Sequence, residues 1–269
     1  MGVTTGAKKV IRGTLRPLGL ELVRWNSQSS QEVALATMLA LHRIDIVLDV
    51  GANEGYFARS LRKVGFRGRI VSFEPGSVAY ELLQRSANED PLWSVAPRAA
   101  LGNQVGEVQL NVSSNDGLSS SLLPMLENLR RSAPSAAYAG SEVVPVTTLD
   151  EATCGFLSAT ERVFLKIDVQ GYEMQVLEGA KKLLPRIVGA QLETSFVPLY
   201  QGQALFQTLM DFMRERGFEV WGIIPGLVDN ISGRLLQSDV IFFRSDLLIE
   251  EERGRAQRSE GRRTAEEQT

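Results

Sequence analysis

The chain has 269 residues, of which 43% are hydrophobic and 23% are charged, with a formal net charge of -3. This composition is that of a globular protein large enough to bury a core, as one large α/β domain or two small ones. Because 29 basic side chains stand against 32 acidic ones, there is no basic excess, and we predict no nucleic-acid partner.

The first 25 residues form a basic segment with apolar residues between the charges. Its charged residues are five basic and one acidic: Lys8, Lys9, Arg12, Arg16, Arg24 and Glu21. A basic amphipathic segment can lie weakly on a membrane surface, here the inner face, or can cover its own domain. We therefore predict an N-terminal helical cover segment over residues 1–43, a main domain over 44–245, and a charged, disordered tail over 246–269.

Helices and short apolar strands alternate along the main domain. After a helix over 32–43 and a strand in "IDIVLDV", a helix ends at Gly65, and a further helix follows with Ser77 as its cap. A helix is also predicted over 172–184. Such alternation predicts βαβ units and an α/β fold with a doubly wound, mainly parallel sheet. The remaining predicted strands are "RIVSFEP", "WSVAPRAAL", "GEVQLNVS", "EVVPVTTLD", "VFLKIDV", "IVGAQLET", "FEVWGII" and "DVIFFR".

Residues 113–142 interrupt this alternation with a stretch rich in serine, glycine and alanine. A long irregular insertion in a compact domain is often a lid or a binding loop. Its polar residues would then contact an acceptor, or would simply be solvated: Asn115, Asp116, Ser119, Ser120 and Ser121.

The first predicted strand ends in a glycine-containing turn, "VLDVGANEGYF", over residues 47–57. In doubly wound sheets, ligands bind at the carboxyl ends of the strands. Gly51 and Gly55 allow the backbone to turn sharply and approach a ligand. Asn53 offers an amide, and Asp49 needs a donor or a cation. The alternative is a plain strand-to-helix turn, because the spacing is not the dinucleotide-binding GxGxxG.

Glu74 ends the second predicted strand, 25 positions beyond Asp49. An acid at this place accepts hydrogen bonds from ribose hydroxyls, which indicates a nucleoside-containing cofactor. A pyrophosphate repels carboxylates, whereas a sulfonium cofactor with an ammonium group attracts them. The two acids therefore favour S-adenosylmethionine over NAD.

Two further acids end predicted strands. Asp168 lies in "FLKIDVQGYEMQVLEGA" and is expected near Asp49, and Glu193 ends the next strand. Lys166 and Asp168 share a face by strand alternation, so a salt bridge between them is an alternative to a site. Glu173 matches the dipole of the following helix and is expected to be structural.

The segments "VLDVGANEGYFA", "SFEP", "TTLDE", "LKIDVQGYEMQVLEGA" and "ETSFVPLY" together resemble the FkbM family of S-adenosylmethionine-dependent methyltransferases. The resemblance covers residues 45–243. One departure is Gln170, where many members of the family have Glu.

This resemblance implies a Rossmann-like class I methyltransferase sheet of seven strands, the last of them antiparallel. It also implies methyl transfer to a hydroxyl of a sugar, glycolipid, or glycosylated or polyketide natural product. Glu74 would contact the ribose and Asp168 would lie beside the methyl-transfer site. The turn residues would bind the cofactor: Asp49, Gly51, Asn53 and Gly55.

An alcohol is a poor nucleophile, so a general base would assist the transfer, and both Asp168 and Glu193 are candidates. They could also share a divalent metal, which no sequence motif indicates. An NAD-dependent oxidoreductase and a non-catalytic nucleoside-binding module are the alternative functions. Aromatic Phe196, Tyr200 and Trp221 could stack on a sugar or pack in the core.

The only histidine and the only cysteine of the chain give little support for other catalytic chemistry. His42, the only histidine, ends a helix and is expected to pack or cap rather than catalyse. Cys154, the only cysteine, rules out an internal disulfide and favours a reducing, cytoplasmic setting. The oligomeric state cannot be read from the sequence.

Overall fold

A computed structural model describes residues 26–245 of the chain. The basic N-terminal segment and the charged tail, with the predicted membrane contact, lie outside the described residues. Within residues 26–245, no helix is long and apolar enough to cross a membrane.

The described chain contains ten strands, in two sheets, and seven α-helices. The strands are β1 (Ile46–Val50), β2 (Arg69–Phe73), β3 (Trp93–Val95), β4 (Ala100–Gly102), β5 (Gly106–Ser113), β6 (Tyr138–Thr148), β7 (Val163–Ile167), β8 (Ile187–Ser195), β9 (Phe218–Pro225) and β10 (Gln237–Arg244). The helices are α1 (Gln31–Leu41), α2 (Tyr56–Lys63), α3 (Ser77–Ala87), α4 (Glu127–Ser132), α5 (Leu149–Ala152), α6 (Glu173–Glu178) and α7 (Phe206–Arg214).

The larger sheet has the strand order β3-β2-β1-β7-β8-β10-β9. Strands β3, β2, β1, β7 and β8 pair in parallel, and β10 is antiparallel to both of its neighbours. This confirms the predicted seven-stranded, mainly parallel sheet with an antiparallel last strand. The chain winds outward in opposite directions from β1 and β7, so the crevice for a ligand lies at their carboxyl ends.

Apolar side chains on both faces of this sheet form the core. On β1, Leu48 and Val50 belong to one buried cluster with β7, β8, α6 and α7. Val47 points to the opposite cluster, formed with α1, α2 and α3. Each such side chain stabilises the fold by about 1.5–3 kcal/mol through removal from water. Burial on both faces explains why these strands are continuous apolar runs.

The smaller sheet has the order β4-β6-β5 and lies beside the carboxyl ends of β1 and β2. Its β5 and β6 are antiparallel, whereas β4 pairs with β6 in parallel. The predicted third strand and its exit, Trp93–Leu101, contain β3 at their start, and the exit leads into β4, a strand of the smaller sheet that the sequence did not predict. The prediction of an irregular insertion over 113–142 was wrong in part, since α4 and the start of β6 fall within it.

Two helix ends differ from the prediction. Gly76, not Ser77, is the cap residue of α3, and the backbone N–H of Ser77 donates to Glu142 Oε1 at 2.8 Å. Helix α6 ends at Glu178, before the predicted end at 184. Gly179 packs so closely on β4 that a Cβ there would lie 1.9 Å from the carbonyl oxygen of Gly102. This contact with the smaller sheet replaces the expected continuation of the helix.

Candidate active site

The turn after β1 holds three residues in the left-handed region. The φ angles are +74° at Gly51, +47° at Asn53 and +85° at Gly55. A Cβ at Gly51 would lie 1.9 Å from the carbonyl oxygen of Asp168, so only glycine lets the ends of β1 and β7 approach this closely. The turn therefore brings Asp168 to the same edge of the sheet as Asn53.

The sequence predicted that Gly55 lets the backbone approach a ligand. In the structure, a different contact requires glycine at this position. Gly55 is the cap residue of α2, and a Cβ there would lie 2.5 Å from the indole ring of Trp93. Gly55 therefore lies behind the turn, against the core, and does not line the cleft in front of it.

Glu74, directly after β2, is held by backbone N–H groups. Its Oε2 accepts from the N–H of Asn53, and its Oε1 accepts from the N–H of Gly76, both at 2.8 Å. Burial raises the pKa of Glu74 to about 7, although both N–H groups oppose this shift. Each oxygen keeps a lone pair for a further donor, so the carboxyl group is positioned but not saturated.

In front of this turn lies the first cleft, which encloses about 680 Å³ including its open mouth. Four of the residues predicted to bind a cofactor line it: Gly51, Asn53, Glu74 and Asp168. The opposite wall comes from the smaller sheet and the loop after β5, including Leu101, Leu110, Ser120 and Leu122.

Asp49, also predicted to contact the cofactor, is completely buried inside β1. It accepts from Ser72 Oγ at 3.2 Å, and its Oδ1 lies 3.5 Å from Lys166 Nζ. Burial raises the pKa of Asp49, and Lys166 is the main opposing influence. Asp49 does not line the first cleft. It can therefore affect a site there only through its ion pair with Lys166.

Lys166 lies between two carboxylates. Its Nζ is 3.3 Å from Asp168 Oδ2, which confirms the predicted contact, in addition to the pairing with Asp49. Burial opposes its charge, but Asp168 and Asp49 together raise the pKa of Lys166 above its usual range. Lys166 therefore remains protonated, and it orients Asp168, whose side chain is 33% exposed towards the cleft.

Gln170 joins the two candidate bases. Its Nε2 donates to Asp168 Oδ1 at 2.8 Å and to Glu193 Oε2 at 2.7 Å, while its Oε1 accepts from the Tyr200 hydroxyl at 2.7 Å. The Tyr200 bond fixes the amide so that both N–H groups face the carboxylates. Gln170 itself has φ +56°, a strained conformation for a residue with a side chain.

Glu193 accepts from two glutamine amides at one of its oxygens and is less suited to act as a base. Gln237 Nε2 also donates to its Oε2, at 2.9 Å. Burial, reinforced by Asp168 and Glu173, raises the pKa of Glu193 well above its usual range. Glu193 thus favours its protonated form, and it does not line the first cleft. Asp168, directly after β7, does line this cleft and is partly exposed.

Glu173 has the structural place that the sequence predicted. Its Oε1 accepts from the backbone N–H of Gly171 at 3.0 Å and of Val169 at 3.3 Å. Burial raises the pKa of Glu173 to about 7. The side chain therefore fixes the loop that carries Asp168 and Gln170.

The aromatic residues considered as sugar platforms pack internally. Tyr200 is fully buried, and Phe196 stacks on Phe206 with ring centroids 4.8 Å apart. Trp221 meets the ring of His42 edge-on at 4.6 Å, and His42 stacks on Phe243 at 3.9 Å. These contacts confirm that His42 packs at the end of its helix.

Two polar residues near Asp168 were not predicted from the sequence. Asp239, near the start of β10, faces Glu193 across the sheet, and Gln191 faces Lys166. Burial, with Asp168 nearby, raises the pKa of Asp239 to about 6. An antiparallel last strand brings its first residues to the carboxyl edge of the parallel strands, so the polar pair in "QSDVIFF" was the available signal.

The first cleft fits S-adenosylmethionine by the chemistry of its lining. Among the described residues that line it, Glu74 and Asp168 are carboxylates, and no lysine, arginine or histidine is present. A pyrophosphate would need cations or several N–H groups, whereas ribose hydroxyls and a sulfonium suit carboxylates. Within residues 26–245 no group of three or more metal-ligating side chains is arranged to hold an ion.

Comparisons with known proteins agree with this chemistry. Residues 49–220 match the Methyltransferase FkbM domain. The methyltransferase sdnD of Sordaria araneosa is 29% identical over 153 residues, which cover 49% of this chain and 59% of sdnD. The 2-O-methyltransferase NoeI of Sinorhizobium fredii (strain NBRC 101917 / NGR234) is 25% identical over 175 residues, 62% of this chain and 70% of NoeI.

One solved structure is that of a methyltransferase FkbM from Methylobacillus flagellatus KT, with 13% identity, a TM-score of 0.44, and coverage of 81% of this chain and 45% of that chain. This likeness is loose, and the fold assignment rests on the strand order of the chain itself. The family match spans well over half of the chain and includes the turn after β1, Glu74, Asp168 and Glu193. The chain therefore belongs to the FkbM methyltransferase family.

Proposed function

We propose that the protein is an S-adenosylmethionine-dependent O-methyltransferase whose acceptor is a hydroxyl of a sugar, a glycolipid, or a glycosylated or polyketide natural product. The observation that carries the proposal is that Glu74 and Asp168 line one cleft, which no lysine, arginine or histidine of the described chain lines. Family membership supports methyl transfer. The name of the relative NoeI, a 2-O-methyltransferase, supports oxygen as the accepting atom.

The residues divide the work of holding the cofactor. The carboxyl group of Glu74 would accept from the ribose hydroxyls, because both of its oxygens are fixed by backbone N–H groups and retain free lone pairs. Gly51 and Asn53 would form the wall against the rest of the cofactor. When bound, S-adenosylmethionine supplies a methyl group on a sulfonium, and it becomes neutral S-adenosylhomocysteine once the acceptor oxygen holds that methyl.

We assign the general base to Asp168 and a positioning role to Glu193. Asp168 takes the hydroxyl proton as the oxygen forms its new bond, which makes the oxygen a better nucleophile. Lys166 and Gln170 each hold one oxygen of Asp168, at 3.3 Å and 2.8 Å. Glu193, retained between two glutamine amides, fixes Gln170 and through it Asp168.

Calorimetric titration with S-adenosylhomocysteine and with NAD tests the cofactor. We expect saturable binding of S-adenosylhomocysteine only, weakened about tenfold, or 1.4 kcal/mol, by Glu74→Ala. Glu215→Ala, a change at an exposed side chain, is the control and should leave binding unchanged. No binding by the folded protein, or tighter binding of NAD, would contradict the proposal.

A further inference from the structure

A second cleft adjoins the first one on the side of α1 and α2. The two clefts share four lining residues, Gly51, Asn53, Leu118 and Asp168. The second cleft encloses about 920 Å³ including its mouth, and its lining includes side chains of β7, β8 and β10. Because the second cleft joins the first at Asp168, a ligand in it would lie next to the proposed base.

The lining of this second cleft is acidic. Its carboxylates are Glu32, Asp168 and Asp239, and its one cation among the described residues is Lys166. The charge of Lys166 is already balanced by its contacts with Asp49 and Asp168. The side chain of Lys166 is only 8% exposed. A ligand in this cleft therefore meets an excess of negative charge, which disfavours a phosphate, sulfate or carboxylate.

One residue that lines the cleft, Gln191, has a buried carbonyl oxygen without a donor from the described residues. Gln191 lines the cleft and is 6% exposed, and its Oε1 has no hydrogen-bond partner within residues 26–245. A buried acceptor without a donor is costly, by about 1–3 kcal/mol. Only a hydrogen-bond donor, such as a hydroxyl or an ammonium group, can satisfy an oxygen of this kind, and an anionic oxygen cannot.

The outer part of the cleft is apolar and aromatic. Leu35 and Ile224 form part of its walls, and Tyr56, which is 73% exposed, lies at the start of α2. An exposed tyrosine ring offers an apolar face and a polar hydroxyl to a polyhydroxylated ligand. Tyr56 is thus a candidate platform that the internally packed Phe196, Tyr200 and Trp221 cannot provide.

We propose that the second cleft binds the methyl acceptor and takes an uncharged or cationic hydroxyl compound, with Gln191 and Asp239 as its hydrogen-bond acceptors. The inference rests on the proposed function and narrows it, because it excludes phosphorylated, sulfated and carboxylated acceptors. Asp168, shared by both clefts, would then contact the acceptor hydroxyl directly.

Cysteine labelling tests the place and the charge of the cleft without knowledge of the natural acceptor. Cys154, the free and exposed native cysteine, is replaced by serine, and Ile224→Cys is introduced in the second cleft. Cationic and anionic methanethiosulfonates are compared at this new cysteine, and their reaction with Cys154 in the unaltered protein is the reference for their intrinsic reactivity. We expect the cationic reagent to react about tenfold faster at Ile224→Cys, and Asp239→Asn to reduce this ratio. An equal or inverted ratio would overturn the charge assignment.

Protection experiments then separate the two clefts and their ligands. S-adenosylhomocysteine should protect Leu122→Cys, in the first cleft, from iodoacetamide, and should leave Ile224→Cys reactive. Protection of Ile224→Cys by S-adenosylhomocysteine would show that the cofactor occupies the second cleft, and it would overturn the inference. Failure to protect Leu122→Cys would instead contradict the proposed function.

The last arm uses sugars as probes of the ligand class. Glucose and glucosamine at high concentration should slow iodoacetamide labelling of Ile224→Cys, and glucose 6-phosphate should not. Equal protection by the phosphate, or protection by none of the three, would overturn the inference. Circular dichroism of each variant excludes loss of the fold as the cause.

Discussion

At the ends of β1 and β2, the cleft is fixed by the backbone, whereas at the ends of β7 and β8 it is fixed by side chains. Glu74 is held by two backbone N–H groups, which any residue except proline can supply. Asp168 and Glu193 are held by Lys166, Gln170 and Gln237. The first region therefore depends on chain geometry, and the second depends on the identity of a few side chains.

This difference separates binding from transfer. A rigid, backbone-held region suits a cofactor that is the same in every turnover. The side-chain network beside Asp168 can be changed by single substitutions without moving a strand. We therefore expect substitutions in the first region to act on stability and cofactor affinity, and substitution of Asp168 in the second region to act on the rate of methyl transfer.

The largest expected effect is the loss of the fold on Gly51→Ala. The new Cβ would clash with the carbonyl oxygen of Asp168, and φ is +74°. We expect destabilisation of about 5 kcal/mol or failure to fold, measured by urea unfolding. Gly233→Ala is the matched control, with φ +71° and no atom within 4 Å of the added Cβ. Gly233→Ala should lower the free energy of unfolding by only about 1–2 kcal/mol. Equal losses in the two variants would show that the close approach of β1 and β7 does not require glycine at position 51.

Asp168→Asn should lower the rate of methyl transfer by about 10²–10⁴-fold, the usual contribution of a general base. The amide keeps the shape of the side chain but cannot take the hydroxyl proton. Release of S-adenosylhomocysteine in the presence of an accepted hydroxyl compound measures the rate, and calorimetry should find the affinity for S-adenosylhomocysteine within a few-fold of that of the unaltered protein. Glu193→Gln should retain far more activity, and the opposite order would make Glu193 the base.

The unfolding free energy should fall as the pH rises from 5 to 8. Glu74 has its pKa raised from 4.5 to about 7 in the folded protein, so the folded state binds its proton more tightly than the unfolded state. The resulting stability is present below the unfolded pKa and is lost as the pH passes the folded one, with a size on the order of 3 kcal/mol. Glu74→Gln should flatten this slope in urea unfolding, whereas Glu215→Gln, at an exposed site, should not. A steeper fall of the unfolding free energy with pH in Glu74→Gln would contradict the raised pKa of Glu74.

A smaller effect is expected from Gln170→Glu, which removes two N–H donors and places a third carboxyl group against Asp168 and Glu193. The new carboxyl group should hold its proton at pH 5 and repel its neighbours at pH 8. We expect a loss of about 2 kcal/mol at pH 8 and less at pH 5.

Gln207→Glu is the matched control for this substitution. Gln207 also contacts an acid, because its Nε2 donates to Asp211 at 2.9 Å, but this hydrogen bond is exposed to solvent. Gln207→Glu should cost a few tenths of a kcal/mol. Equal effects of the two substitutions would mean that the amide of Gln170 is not a special contact.

The sequence could predict the sheet because periodic apolar runs and glycine turns are local signals. It predicted the acids at strand ends for the same reason, and Glu74 and Asp168 indeed line one cleft. It placed Asp49 in the site although Asp49 is buried behind the cleft, because sequence spacing does not show on which side of a strand end a side chain lies.

The parts that the sequence could not predict depend on contacts between distant segments. The amide of Gln170 acquires its partners only when β7, β8 and the loop before α7 meet. Asp239 enters the site only because β10 runs antiparallel. Ser77 failed as a cap because Glu142, in the smaller sheet, accepts from its N–H and Gly76 precedes the helix.

The most direct test of the account is a crystal structure of the protein with S-adenosylhomocysteine. We expect the adenosine in the first cleft, with its ribose hydroxyls on the carboxyl group of Glu74 and its sulfur facing Asp168. A ligand bound in another cleft, or a ribose that does not contact Glu74, would contradict the proposed division between the backbone-held and the side-chain-held regions.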